Sequence, residues 1–139
     1  MFEKILLAYD GSEGADKAVD LALDLVGKYS AALRVLAVAR PPEFGDEVET
    51  EAVIKNSRKH YLHVLKPLKE RTAQAGLEVK FEVVVGHPAE LILQYAEQWG
   101  AGLIVLGHRG HGGLMGRWLV GSVAKQVMHH APCAVLVAR

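Results

Sequence analysis

Five short apolar runs recur along this chain of 139 residues, and a segment of helix length separates each from the next. They read KILLAY from position 4, LRVLAVA from 33, LEVKFEVVV from 77, GLIVLG from 102 and CAVLVA from 133. A strand that is wet on one face alternates apolar and polar side chains, whereas a strand covered on both faces is apolar nearly throughout. All but the third run, which alternates in part, are of the second kind. With right-handed crossovers, this order predicts an α/β fold: an open, mostly parallel five-stranded sheet with helices on both faces. Its length suits a single domain over 1–139. Ligands of such sheets sit beyond the carboxyl ends of the strands, where the strand order reverses. Those ends are Asp10, the Val38–Pro41 stretch, Gly86 and Gly107.

The intervening segments have helical period. Ala15, Ala18, Val19, Ala22, Leu25, Val26 and Tyr29 share one stripe, with Asp16, Lys17, Asp20, Asp24 and Lys28 opposite. Either Ser12 or Asp10 can cap this helix. RPPEFGDE reads as an excursion, followed by a long helix from about Glu47 to Ala75. Pro67 inside that helix is expected to kink or divide it. Tyr61, Leu65 and Leu68 mark its buried stripe, and Gly76 its stop. In GHPAELILQYAEQW, Pro88 suits the first helical position and Glu90 the first turn. Ala89, Ile92, Leu93 and Ala96 form its packing face. A last helix runs from about Ser122 to His130, and Pro132 bars its continuation.

Composition narrows the partners. Sixteen Lys and Arg balance sixteen Asp and Glu, so the formal net charge is zero. That balance offers no broad basic face to nucleic acid or to an anionic membrane. A single cysteine, Cys133, leaves no intrachain disulfide framework and fits a reducing compartment. No apolar run reaches the roughly eighteen residues of a membrane span, and the one in MFEKILLAYD is short for a secretory leader. The expectation is a cytoplasmic protein that binds neither nucleic acid nor membrane.

The fourth run opens into GHRGHGGLMGRWLVGSV, positions 107 to 123. Glycines at 110, 112, 113 and 116 permit positive φ and close approach by oxygen atoms. The helix that follows begins with amides free to bind an anion. Ser122 can add a donor or cap that helix. The stretch reads as a phosphate cradle or as an awkward strand-to-helix connection. Two familiar phosphate motifs are absent. No Gly-Lys pair precedes Ser or Thr, as a P-loop needs, and Gly110-x-Gly112 meets Met115 where the dinucleotide fingerprint needs glycine.

KILLAYDGSE, VVVGHPAELI, LIVLGHRGHGGLMGRWLVGSVAKQV and APCAVLVAR, in that order, resemble the universal stress protein family in its small single-domain form. The middle, from Pro41 to Gly76, carries little of the likeness. The resemblance implies a Rossmann-like fold of the adenine nucleotide alpha hydrolase-like type. Its nucleotide-binding branch has the pattern G-x2-G-x9-G-[ST] around the phosphates. Gly107 and Gly110 match the first two glycines, and Gly121 with Ser122 the last pair. The second gap holds ten residues, His111 to Val120, where the pattern has nine. Glycines 112, 113 and 116 can absorb the extra residue as a bulge.

By that resemblance, Asp10 lies near the ribose and adenine, and the backbone of Val38 reads adenine. Gly107, Arg109, Gly110, Gly121, Ser122 and Val123 surround the phosphates, and the cofactor is ATP carrying Mg2+. Read without the family, Asp10 is equally a turn aspartate, Val38 strand core, and Arg109 a solvated loop arginine. Arg117 is a weaker phosphate candidate, and Trp118 a packing anchor. The implied role is an ATP-binding, regulatory stress-response protein. The alternative is a nucleotide-free stress-response dimer that acts through protein contacts. Family members pair through the last strand, so a homodimer through Cys133–Val137 is expected, along with a possible regulatory protein partner.

His108, His111, His129 and His130 lack cysteine partners at zinc spacing, and neighbouring His129 and His130 do not converge easily on one centre. His60 and His63 share a helix face with no third ligand beside them. No nucleophile elbow or distinctive acid–base pair is present. Cys133, beside a proline at a strand start, reads as packing. The residues predict at most slow ATP hydrolysis and no catalytic residue.

Overall fold

The computed structural model describes residues 1–40, 47–108 and 121–139, with backbone alone at 47–50. Its elements are β1 (Lys4–Ala8), α1 (Glu13–Tyr29), β2 (Ala32–Ala39), α2 (Glu47–Gln74), β3 (Val79–Val85), α3 (Pro88–Trp99), β4 (Leu103–Gly107), α4 (Ser122–His130) and β5 (Ala134–Ala138). The five strands form one sheet in the order β3-β2-β1-β4-β5, with every pairing parallel. The α/β sheet expected from the apolar runs is therefore the fold.

Side-chain alternation in the central strands explains why they are apolar throughout. Ile5 and Leu7 of β1, and Leu103 and Val105 of β4, enter a core with Ala18, Val19 and Val26 of α1 and Leu65 and Leu68 of α2. Leu6, Ile104 and Leu106 point the other way, to Ala89, Ile92 and Ala96 of α3 and Ala124 and Val127 of α4. Each strand thus feeds two cores, and no position from Ile5 to Leu7 or from Leu103 to Leu106 can be polar without cost. Tyr9 no longer belongs to β1, yet its amide still donates to Leu36 O at 3.0 Å.

Local chemistry sets the helix ends. Ser12, not Asp10, is the N-cap of α1, its Oγ accepting from Ala15 N at 3.1 Å. α1 ends at Ser30 in a left-handed conformation, and α3 at Gly100 with φ 76°. Gly76, with φ +73°, follows the last turn of α2. Two expectations need correction. Tyr29, placed on the packing stripe of α1, is 55% exposed. It lies in the last turn, beyond the sheet, and meets the Phe2 ring edge-on at 5.4 Å. Nor does Pro67 divide its helix: α2 runs through it unbroken. Pro67 is exposed, so its ring faces water, while Leu65 and Leu68 beside it anchor the helix in the core.

The sequence order reverses between β1 and β4. The chain builds β2 and β3 on one side of β1, then crosses to lay β4 on the other. The two strands part at their carboxyl ends, and a crevice opens between Tyr9-Asp10 and Gly107.

Candidate functional site

The crevice at this switch point is a cavity of about 1060 Å3, at the upper end of the roughly 300–1,000 Å3 that small-molecule sites occupy. Its floor is apolar: Ala8, Leu36, Val38, Ile92, Leu106 and Ala124. Asp10, Val38, Gly107, Gly121, Ser122 and Val123 all line it. Six residues chosen from four separate stretches of sequence are thus brought together. Arg109 and Gly110 lie outside the described residues, as do Arg117 and Trp118.

Asp10 satisfies its turn reading while facing the cavity. Its Oδ1 accepts from Ser12 N at 2.9 Å, closing a side-chain turn that leads into α1. Gly11 follows with φ +80°, and a Cβ there would meet Val64 Cγ1 at 2.7 Å. That glycine lets the chain turn sharply under α2. Tyr9 also lines the cavity, and its hydroxyl donates to Asp16 Oδ1 at 3.0 Å. Burial, then Asp16, push its ionisation up to about 12.

Across the crevice, α4 begins at Gly121. Lys125 N donates to Gly121 O at 3.0 Å, so the amides of Ser122, Val123 and Ala124 precede the first intrahelical bond. Gly121 is the N-cap and offers no side-chain cap bond, and no acid occupies the first turn. Ser122 is exposed and is the first helical residue, so it does not cap its own helix. α1, by contrast, has Ser12 as cap with Glu13 and Asp16 in its first turn, and α3 has Pro88 and Glu90. Among the helices whose starts are described in full, α4 alone reaches the cavity with its positive end uncompensated.

The described residues on either side of 109–120 are bonded to each other and to the end of β5: His108 N donates to Ala138 O at 2.6 Å and Gly121 N to His108 O at 2.9 Å. Gly107 has a packing role besides its place on the cavity wall. A Cβ there would meet backbone atoms of α1, Gly14 C at 2.7 Å and Gly14 O at 2.9 Å. Glycine at 107 therefore lets the first turn of α1 close onto β4.

The long α2 contributes lining residues that motif reasoning did not single out for a site: Val53, Asn56, Ser57, His60 and Tyr61, with Arg40 at the end of β2. Pro88 and Ile92 of α3 line the opposite side. Gly86 is not among the lining residues. Cys133 packs against the core beside α3 and α4, and burial pushes its thiol up, away from the reactive thiolate. Among the described residues, no group of three His, Cys, Asp or Glu gathers at metal distance. Among them also, no helix is long and apolar enough to cross a membrane.

An open parallel sheet, wound in both directions from β1, with a helix N-terminus and a carboxylate both lining the crevice at the switch point, defines a doubly wound α/β protein. The match to known proteins is more specific. The family model described as "Universal stress protein family" matches residues 1–139, and the chain belongs to that family. The universal stress protein YxiE of Bacillus subtilis (strain 168) is 34% identical over 154 residues, covering 100% of both chains. The solved universal stress protein UspA from Lactobacillus plantarum superposes with a TM-score of 0.87 at 28% identity, over 99% of this chain and 98% of that one. A universal stress protein solved in complex with cAMP shares the fold, with a TM-score of 0.72 at 24% identity, covering 99% of this chain and 97% of that one.

Proposed function

We propose that this chain binds an adenine nucleotide, ATP with Mg2+, in the switch-point cavity and serves as a nucleotide-responsive regulator in stress response. The observation that carries the reading is the uncapped start of α4, facing the cavity opposite Asp10. Three amides aimed along a helix dipole suit phosphate oxygens. An ionised carboxylate suits ribose hydroxyls, which donate to it. Between them, an apolar floor with strand backbone at its rim suits a flat base; Val38 packs its side chain into the core and leaves its peptide groups for the edge. Arg109 and Gly110 would complete the phosphate end. Mg2+ would enter with the phosphates, since it keeps several waters and needs few protein ligands. That a neighbour of the same fold is solved with cAMP agrees with this reading.

The sheet also offers a surface for assembly. β5 is an edge strand, and an uncovered edge pairs readily with another chain. A homodimer through Cys133–Val137, in the cytoplasm, is part of the proposal, and a nucleotide-dependent protein partner is its regulatory output.

The test is the nucleotide content of freshly purified protein, by denaturation and chromatography, followed by ATP titration calorimetry with and without magnesium. Bound ATP near one per chain, or saturable micromolar binding, supports the reading. Empty protein with no binding in either buffer overturns it. That result would favour the nucleotide-free dimer, to which the ten-residue gap between Gly110 and Gly121 already points.

A further inference from the structure

α2 has 28 residues, about 42 Å of helix. β2, against which it packs, has 8, about 26 Å of strand. The helix outruns the sheet, and its amino-terminal half projects past the strand ends. One stripe runs its described length at three- and four-residue spacing: Val53, Asn56, Ser57, His60, Tyr61, Val64, Leu65, Leu68, Thr72. Over the sheet the stripe is buried, with Leu65 at 0%, Leu68 at 5% and Thr72 at 2% exposure. Past the strand ends the same stripe lines the cavity with Val53, Asn56, Ser57, His60 and Tyr61.

The chemistry changes where the sheet stops. A stripe merely left to solvent would carry charges, as the outer surface of this helix does with Glu51, Lys55, Arg58, Lys59, Lys66 and Glu70, all exposed. The cavity stripe instead carries an amide, a hydroxyl, an imidazole and a phenol, groups that both give and take hydrogen bonds. Ser57 and Tyr61 are half-buried there. Burial, with Asp10's charge second and Arg40 opposing, raises the Tyr61 phenol above its ordinary value. Like any phenol at neutral pH it carries its proton and can donate, and it lines the same cavity as the Asp10 carboxylate.

We propose that this half of α2 is a specificity wall reading the sugar of the bound nucleotide: the Tyr61 hydroxyl shares the ribose hydroxyls with Asp10, and Asn56, Ser57 and His60 extend the polar contact along the same wall. This rests on the nucleotide reading above and adds to it the residues that distinguish ribose from deoxyribose. A site built to bond a hydroxyl rejects the analogue lacking it, because its own polar groups are left unpaired.

The experiment is calorimetric titration of the wild-type chain, Tyr61→Phe and Asn56→Ala with ATP, 2′-deoxy-ATP and 3′-deoxy-ATP. Wild type should prefer ATP over at least one deoxy analogue by about tenfold or more. Tyr61→Phe should weaken ATP by about 3- to 10-fold while barely changing the affinity for that analogue, so the preference collapses. A merely structural tyrosine would weaken all three ligands alike. Equal loss, or an unchanged preference in Tyr61→Phe, overturns the wall while leaving nucleotide binding intact. No binding of any ligand by wild type overturns the nucleotide reading and the wall with it. Should Tyr61→Phe unfold early in a thermal melt, Asn56→Ala decides: its exposed position leaves the fold unharmed, and unchanged ATP affinity there overturns the proposal.

Discussion

At the scale of single residues, two glycines make opposite predictions. A methyl at 107 would sit 2.7 Å from Gly14 C, 2.9 Å from its O and 3.0 Å from Ala15 N, all backbone that cannot swing aside. Gly107→Ala should destabilise the fold by about 1–3 kcal/mol through overpacking, seen as a lower thermal midpoint. Gly27 lies in the last turns of α1, and a methyl added there would have no neighbour within 4 Å. Gly27→Ala should stabilise by roughly 0.5–1 kcal/mol, because alanine gives up less backbone freedom on folding. Tyr9 adds a pH signature. Its ordinary value of 10.0 is raised to about 12 in the fold, so the folded state holds the proton more tightly. Between pH 10 and 12 the unfolded chain binds fewer protons than the folded one, and stability falls as pH rises. The contribution is whole below 10 and gone above 12. Tyr9→Phe should flatten the part of the alkaline melting profile in that window; an identical profile would remove the Tyr9–Asp16 pair from the account.

At the scale of elements, α2 and α4 each hold a testable compromise. Pro67 cannot donate a backbone hydrogen bond, yet it sits inside α2. Pro67→Ala should restore that bond on an exposed turn and stabilise by about 1 kcal/mol or more, measured by denaturant midpoint. A loss of stability would mean that the proline sets a bend on which the packing of Leu65 and Leu68 depends. In α4, the amino end lacks both side-chain cap and acid. Gly121 has φ −60° and ψ 154°, a conformation open to any residue. Gly121→Asp should therefore cap the helix and raise stability by a few tenths of a kcal/mol. The same carboxylate would repel phosphate and weaken ATP by about tenfold or more. Equal ATP affinity in that variant would move the phosphates away from α4.

At the scale of the whole molecule, the proposed dimer makes a physical demand on β5. Its inner side pairs with β4, register Leu103 to Ala134 through Gly107 to Ala138. Among the described residues, no strand lies beside its outward amides. Sedimentation should give twice the chain mass, and those amides should exchange with deuterium slowly at high protein concentration and faster on dilution. A concentration-independent monomer with fast exchange along β5 would show that the edge is uncovered.

The sequence by itself determined the kind of fold. Burial on two faces forces β1 from Ile5 onward and β4 to be apolar, and helices that cover a sheet must carry one apolar stripe; both are local patterns. It also marked the ends of the strands at Asp10, the Val38–Pro41 stretch, Gly86 and Gly107, and the family resemblance picked out Val38 itself and added Gly121, Ser122 and Val123, all before any contact between them was known. Periodicity states what is buried but not beside what, so the order β3-β2-β1-β4-β5, which puts the crevice between β1 and β4, came from the tertiary structure. So did the packing of Gly107 on Gly14, which joins residues far apart in the chain, and the exposure of Tyr29, whose turn extends past the sheet it was expected to cover. The α2 wall shows the division most clearly. Its letters stand in plain view at 56, 57, 60 and 61, with Tyr61 already read as part of the buried stripe, but nothing in them points to a cavity until the length of α2 against β2 carries them over it.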